Sequence, residues 1–422
     1  MLLEPILYDI GSFLVVENIR GIMNRGLNIV VIVLVLASIS VGGVSGETSS
    51  GIELSEEEIR MVSIGQIDRS DFIVQTPNLA TSISMDRKII LGELNKYILE
   101  ERISSAGGED EKREILFQAA TDVEIESVDT TDRFVEIQER WKSGWIGSEE
   151  FTRELMLIST DSKVLGGLLD HIEEESEMVS QIELRGRIMM LKEELIPFDG
   201  PVKRNLIDVA RGEREVGNVY IAASKSGMVL ATIEGSTYWR EAYVWDQESL
   251  SGGISLDEAI TRTASLYPIA YNPEVSRQTG IMGKGRGYQI EIGFDSGSLI
   301  AYLDGGTKNV FYEIQERKLG ITGLGSRDSR TIGSLDGGTM KVAVARSFVG
   351  GPLKVEVHDM DTGNSIASKM LIGTSREEEI NRGGTWILAP PENTKIVFKR
   401  EDGEVLEIQI LPIPINEVKN EN

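Results

Sequence analysis

The sequence predicts a multidomain α+β protein, with an N-terminal membrane or signal helix, a coiled-coil-like helical bundle, an α+β domain and a C-terminal β-sandwich. Three observations predict it. An aliphatic run, Ile29–Leu36, lies near the start of the chain; helix-period apolar spacing extends from Gly51 to about Gly212; and the period falls to two after Gly217. The expected division is 1–22 as an upstream extension, 23–46 as signal peptide or anchor and 47–212 as the helical domain. Residues 213–320 come next as α+β, 321–338 as linker, 339–411 as sandwich and 412–422 as tail.

Leu27, Ile29, Val30, Val31, Ile32, Val33, Leu34, Val35 and Leu36 are the membrane or signal residues. So long an aliphatic run has no use in a solvated tail. Arg20 and Arg25 precede it, and Glu47, Glu53, Glu56, Glu57 and Glu58 come after it. That order keeps the N-terminus inside and places the rest outside. A core of about 7–15 apolar residues is the secretory pattern, and a stable span wants roughly 20. Extension through Val44 reaches spanning length with small residues, while Val44-Ser45-Gly46 offers a cleavage site. Both outcomes stand: a cell-membrane protein with an extracellular C-terminal part, or a secreted one. Met23-Asn24-Arg25 resembles a natural signal-peptide start, which would make Met1–Ile22 an upstream extension.

The formal net charge of −25, spread along 422 residues, argues against nucleic acid, whose binding needs Lys and Arg to displace counterions. It also argues against peripheral binding to an anionic bilayer, and it suits a saline exterior. Cysteine is absent, so stability must come from cores. With only His171 and His358, His-rich zinc sites and His-based triads lose their donors. No cofactor is expected.

Along the helical part, Ile90, Leu94, Tyr97 and Ile98 keep helical spacing up to Gly107-Gly108. Glu109–Trp145 reads as one long helix or two, with Leu116, Ala120, Val123, Phe134, Ile137 and Trp141 as its stripe. Ser148 caps a helix bearing Phe151, Leu155, Ile158, Leu165, Leu168 and Ile172. A further helix carries Ile182, Ile188, Leu191 and Leu195, and Pro201 opens a short one through Val209. Long helices with short connections read as a bundle, separable from the rest of the chain at a flexible Gly212–Gly217.

Then come the hairpin Val219–Thr232, the strand Tyr238–Trp245 and a capping box, Ser255-Leu256-Asp257-Glu258, opening a helix that ends at Tyr267-Pro268. Tyr288–Phe294, Leu299–Leu303 and Asn309–Gln315 succeed a Gly-rich loop, the latter two apolar enough for a sheet edge that would take an extended peptide. From Thr339 to Ile410, six short alternating runs are separated by turns such as Asp361-Thr362-Gly363 and Arg382-Gly383-Gly384, as in a small sandwich.

ISLDEAI opening a helix, GYQIEIGFDSGSLIAYLD as two strands and NVFYEIQ as a closing strand resemble the PepSY module of exported proteins, over Ile254–Gln315. That resemblance implies a peptide- or protein-contacting role, such as modulating a peptidase or sensing at the envelope. The loop Asn272–Gly287 departs from the compact family pattern. The exported part also resembles uncharacterised archaeal surface proteins through Gly144–Phe151, Gly200–Val202, Arg240–Ala242, Tyr267-Pro268, Tyr302–Thr307 and Gly350–Leu353. VEVHDMDTGNSIAS and GGTWILAPP are similar to transthyretin-like and carboxypeptidase-regulatory sandwiches, which implies an adhesive or spacing module.

Candidate chemistry is sparse. Gly280–Gly287 holds Gly283, Lys284, Gly285 and Arg286, but a strand comes next and no Ser/Thr stands after the Lys, so a phosphate loop is disfavoured. Lys284 and Arg286 remain the densest local positive feature and are expected to orient an acidic partner. Asp359 and Asp361 alternate as calcium ligands do, yet lack the rest of an EF-hand, and a hairpin turn is favoured. Trp239, Tyr243 and Trp245 lie on one strand, where core packing is the ordinary role and an exposed subset would form a peptide- or glycan-binding strip. The function expected is a non-enzymatic envelope protein with a polypeptide partner. The alternatives are a carboxylate-dependent hydrolase, for which a cleft of partly buried Asp and Glu would speak, and a structural spacer.

Overall fold

The computed structural model describes residues 60–177, 182–249, 253–273, 276–320, 330–337, 339–346, 351–372, 376–388, 394–399 and 405–410. The run Leu27–Leu36, the upstream extension and the tail lie outside them, as does most of the expected linker. No helix among the described residues is long and apolar enough to cross a membrane.

Five helices form the first layer: α1 (Leu79–Ser104), α2 (Glu109–Lys142), α3 (Ser148–Glu177), α4 (Ile182–Leu195) and α5 (Pro201–Arg211). Asn78 caps α1 by accepting from the Thr81 N–H at 3.0 Å. α2 runs unbroken through Asp129-Thr130-Thr131, where Thr130 and Thr131 turn their hydroxyls back onto the Glu126 and Ser127 carbonyls. The turn from α2 to α3 is pinned by Trp141, which stacks on Phe151 at 4.9 Å and donates its indole N–H to Ser148 Oγ.

Residues 47–212 are not helical throughout. Ile67–Gln75 is a strand, β1, antiparallel to β2 (Gly217–Ser224), with Gln75 opposite Gly217. The chain therefore leaves a sheet at Gln75, builds five helices, and returns beside the strand it left. The helical layer is an insertion in the sheet and shares its core, so Gly212–Gly217 does not separate two independent bodies.

The sheet has eight antiparallel strands in the order β1-β2-β3-β4-β8-β7-β6-β5. The further ranges are β3 (Gly227–Glu234), β4 (Thr237–Val244), β5 (Ser276–Lys284), β6 (Gly287–Phe294), β7 (Gly297–Leu303) and β8 (Val310–Lys318). β5 occupies what reads in sequence as a Gly-rich loop. Its presence makes β7 and β8 interior strands, so the edges are β1 and β5, not Leu299–Leu303 and Asn309–Gln315.

Alternation gives each strand two faces. One packs on the helices, with Phe134, Trp141, Phe151, Phe198 and Leu206 against Ile221, Leu230, Tyr243 and Tyr312. The other is covered by the capped helix α6 (Leu256–Leu266) and by Val62 and Ile64 of an extended segment, over Ala242, Ile290, Ile292 and Leu299.

The C-terminal part holds two four-stranded sheets. One is β14-β11-β10-β9, built from Thr385–Ile387, Leu353–Asp359, Met340–Arg346 and Arg330–Gly337. The other is β13-β12-β15-β16, built from Arg376–Ile380, Ser368–Ile372, Thr394–Lys399 and Val405–Ile410. β9 falls in the expected linker. Val342, Val344, Val355, Val357, Met370, Ile396 and Phe398 form the common core. A small cluster of Tyr238, Leu319 and Leu388 joins it to the helix–sheet unit.

Candidate functional site

Two buried ion pairs mark the centre of the large sheet, one on each face. On β4, Glu241 points to the helices and its neighbour Arg240 to the other side, while on β8 Tyr312 and Glu313 diverge in the same way. Glu241 accepts from Lys203 Nζ and from the Val202 N–H in the first turn of α5, where a carboxylate complements the helix dipole. Tyr312 donates its hydroxyl to the same carboxylate at 3.2 Å, and Lys203 Nζ sits 5.3 Å from the Tyr312 ring centroid. A Cβ on Gly200 would stand 2.4 Å from both Glu241 Oε1 and the Tyr312 hydroxyl, so the close approach needs glycine.

On the opposite face, Arg240 Nη1 meets Glu313 Oε1 at 2.9 Å and Tyr267 donates to Glu313 Oε2 at 2.7 Å. The pair also grips backbone: the Val62 N–H donates to Glu313 at 3.1 Å, and Arg240 Nη2 donates to the Val62 carbonyl at 2.6 Å. Burial raises the Glu313 carboxyl pKa, with Arg240 opposing it. Burial, and then the adjacent carboxylates, push the Tyr267 and Tyr312 hydroxyls well above their ordinary value, so both stay donors. The arrangement fixes an extended segment and a helix start on opposite sides of one sheet.

A third cluster joins α4 to the β5–β6 turn. Glu193 accepts from the Arg286 N–H at 2.7 Å, and Arg286 Nη2 lies 3.4 Å from Glu194 Oε1. Glu248 accepts from the Tyr243 hydroxyl at 2.8 Å. Burial is the largest influence on all three carboxyls and raises them, Glu248 to about 7. A group near 7 can exchange a proton at neutral pH. Among the hydrogen bonds here, however, these carboxylates face Arg286 and Tyr243.

The residues singled out in the sequence do not form one site. Tyr243 is only 6% exposed and joins Phe134, Phe198 and Trp245 in the aromatic core. Trp245 is half-buried there and donates its N–H to the Lys225 carbonyl. Trp239 lines a cleft between helices and sheet. Arg286 turns inward onto Glu193 and Glu194, with an 11% exposed side chain, and so does not face an outside partner as expected. Lys284 ends the edge strand β5, half-buried. Asp359 Oδ1 accepts from the N–H groups of Asp361 and Thr362 and from the Thr362 hydroxyl, closing a turn completed by Gly363 at φ 69°. Among the described residues no group of three His, Cys, Asp or Glu is placed to hold a metal.

The sequence did carry one unread signal for the buried pairs: charged residues at core-facing positions of otherwise aromatic strands, Arg240-Glu241 and Glu313. The Glu193, Glu194, Glu248 and Arg286 cluster comes from three distant segments and has no periodic signature.

These features define a multidomain α+β protein built around a sheet with polar centres. Residues 23–215 match a domain of unknown function (DUF7096), and residues 219–322 match a family of unknown function (DUF7094). No curated protein and no solved structure matches the chain. The two matched segments meet where β1 and β2 pair, so the shared core crosses their boundary.

Proposed function

We propose that this is a non-enzymatic archaeal envelope protein, exported through Ile29–Leu36 and either anchored or released, that binds a polypeptide partner through α1. The observation that carries the reading is the outer face of that helix. Leu79, Ile83, Ile90, Leu91, Leu94 and Tyr97 are all exposed, Ile90 by 67% and Tyr97 by 64%. α1 packs on the bundle instead through Met85, Leu99 and Ile103, and through Gly92, where a Cβ would stand 2.4 Å from Val164 Cγ1. Six large apolar side chains left open along one helix face are the kind of contiguous patch that marks a protein-binding surface. Ile83, Ile90 and Tyr97 are seven apart with Leu94 between, the spacing by which one helix receives another.

Two further points support the reading. The order of α6, β6, β7 and β8, with α6 packed on the sheet, fits a PepSY-like segment and its protein-contacting role. The buried carboxylates that a hydrolase would need are bonded to Arg240, Lys203, Arg286 or Tyr243. The sandwich serves as a spacer or adhesive module. In-cell photocrosslinking from Ile90 in the full chain should give a defined protein adduct that Leu94→Lys abolishes. Absence of an adduct, or one indifferent to Leu94→Lys, would contradict the reading. Export is tested by replacing Val31, Leu34 and Leu36 with Asp, each costing about 2.5–3.5 kcal/mol at a bilayer centre; a triple variant still found outside would refute it.

A further inference from the structure

Away from the outer face of α1, a cleft of about 310 Å³ opens between α1, α3, α5 and the β3–β4 hairpin. Ser159, from α3, is 2% exposed, and Asn205, from α5, is 6% exposed; both line the cleft. Neither side chain has a hydrogen-bond partner among the described residues. The Ser159 hydroxyl and the Asn205 amide open onto the cleft, where a ligand can take the place of the water that otherwise pairs them. Trp239 supplies a half-buried aromatic wall. Lys163 stands at the rim, exposed, with no carboxylate partner among the described residues. Arg204 is held only loosely, its Nε 3.8 Å from the exposed Asp199. Of the four cations in the lining, Arg211 is paired with Asp86 and Arg214 with Asp208 and Glu234, which leaves Lys163 and the loosely held Arg204 as the charges the cleft can offer.

We propose that this cleft binds a carboxylated sugar, a uronate unit of an acidic glycan. A pyranose presents an apolar face of C–H groups suited to an aromatic ring such as Trp239. Its hydroxyls match Asn205, which both donates and accepts, and Ser159. The carboxylate completes Lys163 and Arg204 with charge-assisted hydrogen bonds. The volume lies at the small end of ligand pockets and takes one or two sugar rings.

The test uses the full chain in detergent and follows tryptophan fluorescence and isothermal titration with digalacturonate, with neutral digalactose and with glutamate as comparators. Digalacturonate should bind saturably at concentrations up to about 10 mM, and digalactose and glutamate at least about tenfold more weakly. Trp239→Ala should weaken digalacturonate at least about tenfold. Lys163→Ala changes an exposed residue; it should leave the melting temperature unchanged and remove the preference for the acidic over the neutral sugar. Three results would overturn the proposal: no saturable binding of digalacturonate, glutamate binding as tightly as the sugar, or a preference that survives Lys163→Ala.

Discussion

Arg240, Glu313, Lys203 and Glu241 are buried inside the unit spanning residues 60–320, whereas among the described residues of the sandwich the buried side chains are apolar apart from Ser368. The two regions solve different problems. In the sandwich, β9 with β10, β10 with β11, β12 with β13 and β15 with β16 pair as sequence neighbours, so alternation sets much of the register locally. In the helix–sheet unit, five helices are inserted between two paired strands, and a second layer must be placed on the far face. Apolar packing alone tolerates sliding of one layer over another. A buried pair that also grips backbone, as Arg240 and Glu313 do at Val62 and Glu241 does at Val202, favours one placement.

The comparison breaks first if the buried pairs matter little. Arg240→Ala leaves Glu313 buried without its cation and should destabilise the helix–sheet unit by about 3–5 kcal/mol. Urea denaturation followed by tryptophan fluorescence should show this while the sandwich transition stays in place. Replacing both partners, Arg240→Met with Glu313→Leu, should recover most of that loss. Next in size, Phe398→Ala opens a cavity in the sandwich core and should cost about 3 kcal/mol or more, in the sandwich transition alone.

A smaller effect comes from pH. Glu248 keeps its proton up to about 7, chiefly because of burial, while the unfolded chain loses it near an ordinary Glu value. The folded state therefore holds an extra proton between about 4.5 and 7, and stability falls as pH rises through that window. Glu193 and Glu194 are shifted the same way. The loss by pH 8 is on the order of 3 kcal/mol for Glu248. Glu248→Gln should flatten the slope, which thermal melts from pH 5 to 8 would show. Smallest of all, Ile90→Lys with Leu94→Lys on the outer face of α1 should change stability by less than about 0.5 kcal/mol, since both side chains are exposed among the described residues.

The same contrast explains what could be read in the sequence. Most sandwich strands were legible, because Val342, Val344, Val355 and Val357 alternate and Gly363 and Gly383 punctuate them. α2 and α3 were legible from their apolar stripes. β1 was not: Asp68, Arg69, Ser70 and Asp71 hide its alternation, and its partner β2 lies far along the chain. β5 was hidden by Gly280 and Gly283. The stripe of Ile90, Leu94 and Tyr97 was visible in sequence, but spacing marks a face without saying which way it turns. Here Gly92 turns the other way and sets the packing side. Of the candidate residues, Trp239 lines a cleft, and the partners that would make it a site, Ser159 and Asn205, had no motif to announce them.

Native-state hydrogen exchange on the full chain tests most directly whether the helices and the large sheet open as one unit apart from the sandwich. The amides around Phe134 and Trp141 in α2 and those of β4 and β8 should open with one common free energy, and Arg240→Ala should lower them together while those of β10 and β15 stay unchanged. Helical amides that exchange independently of β4 and β8, or that ignore Arg240→Ala, would contradict the account.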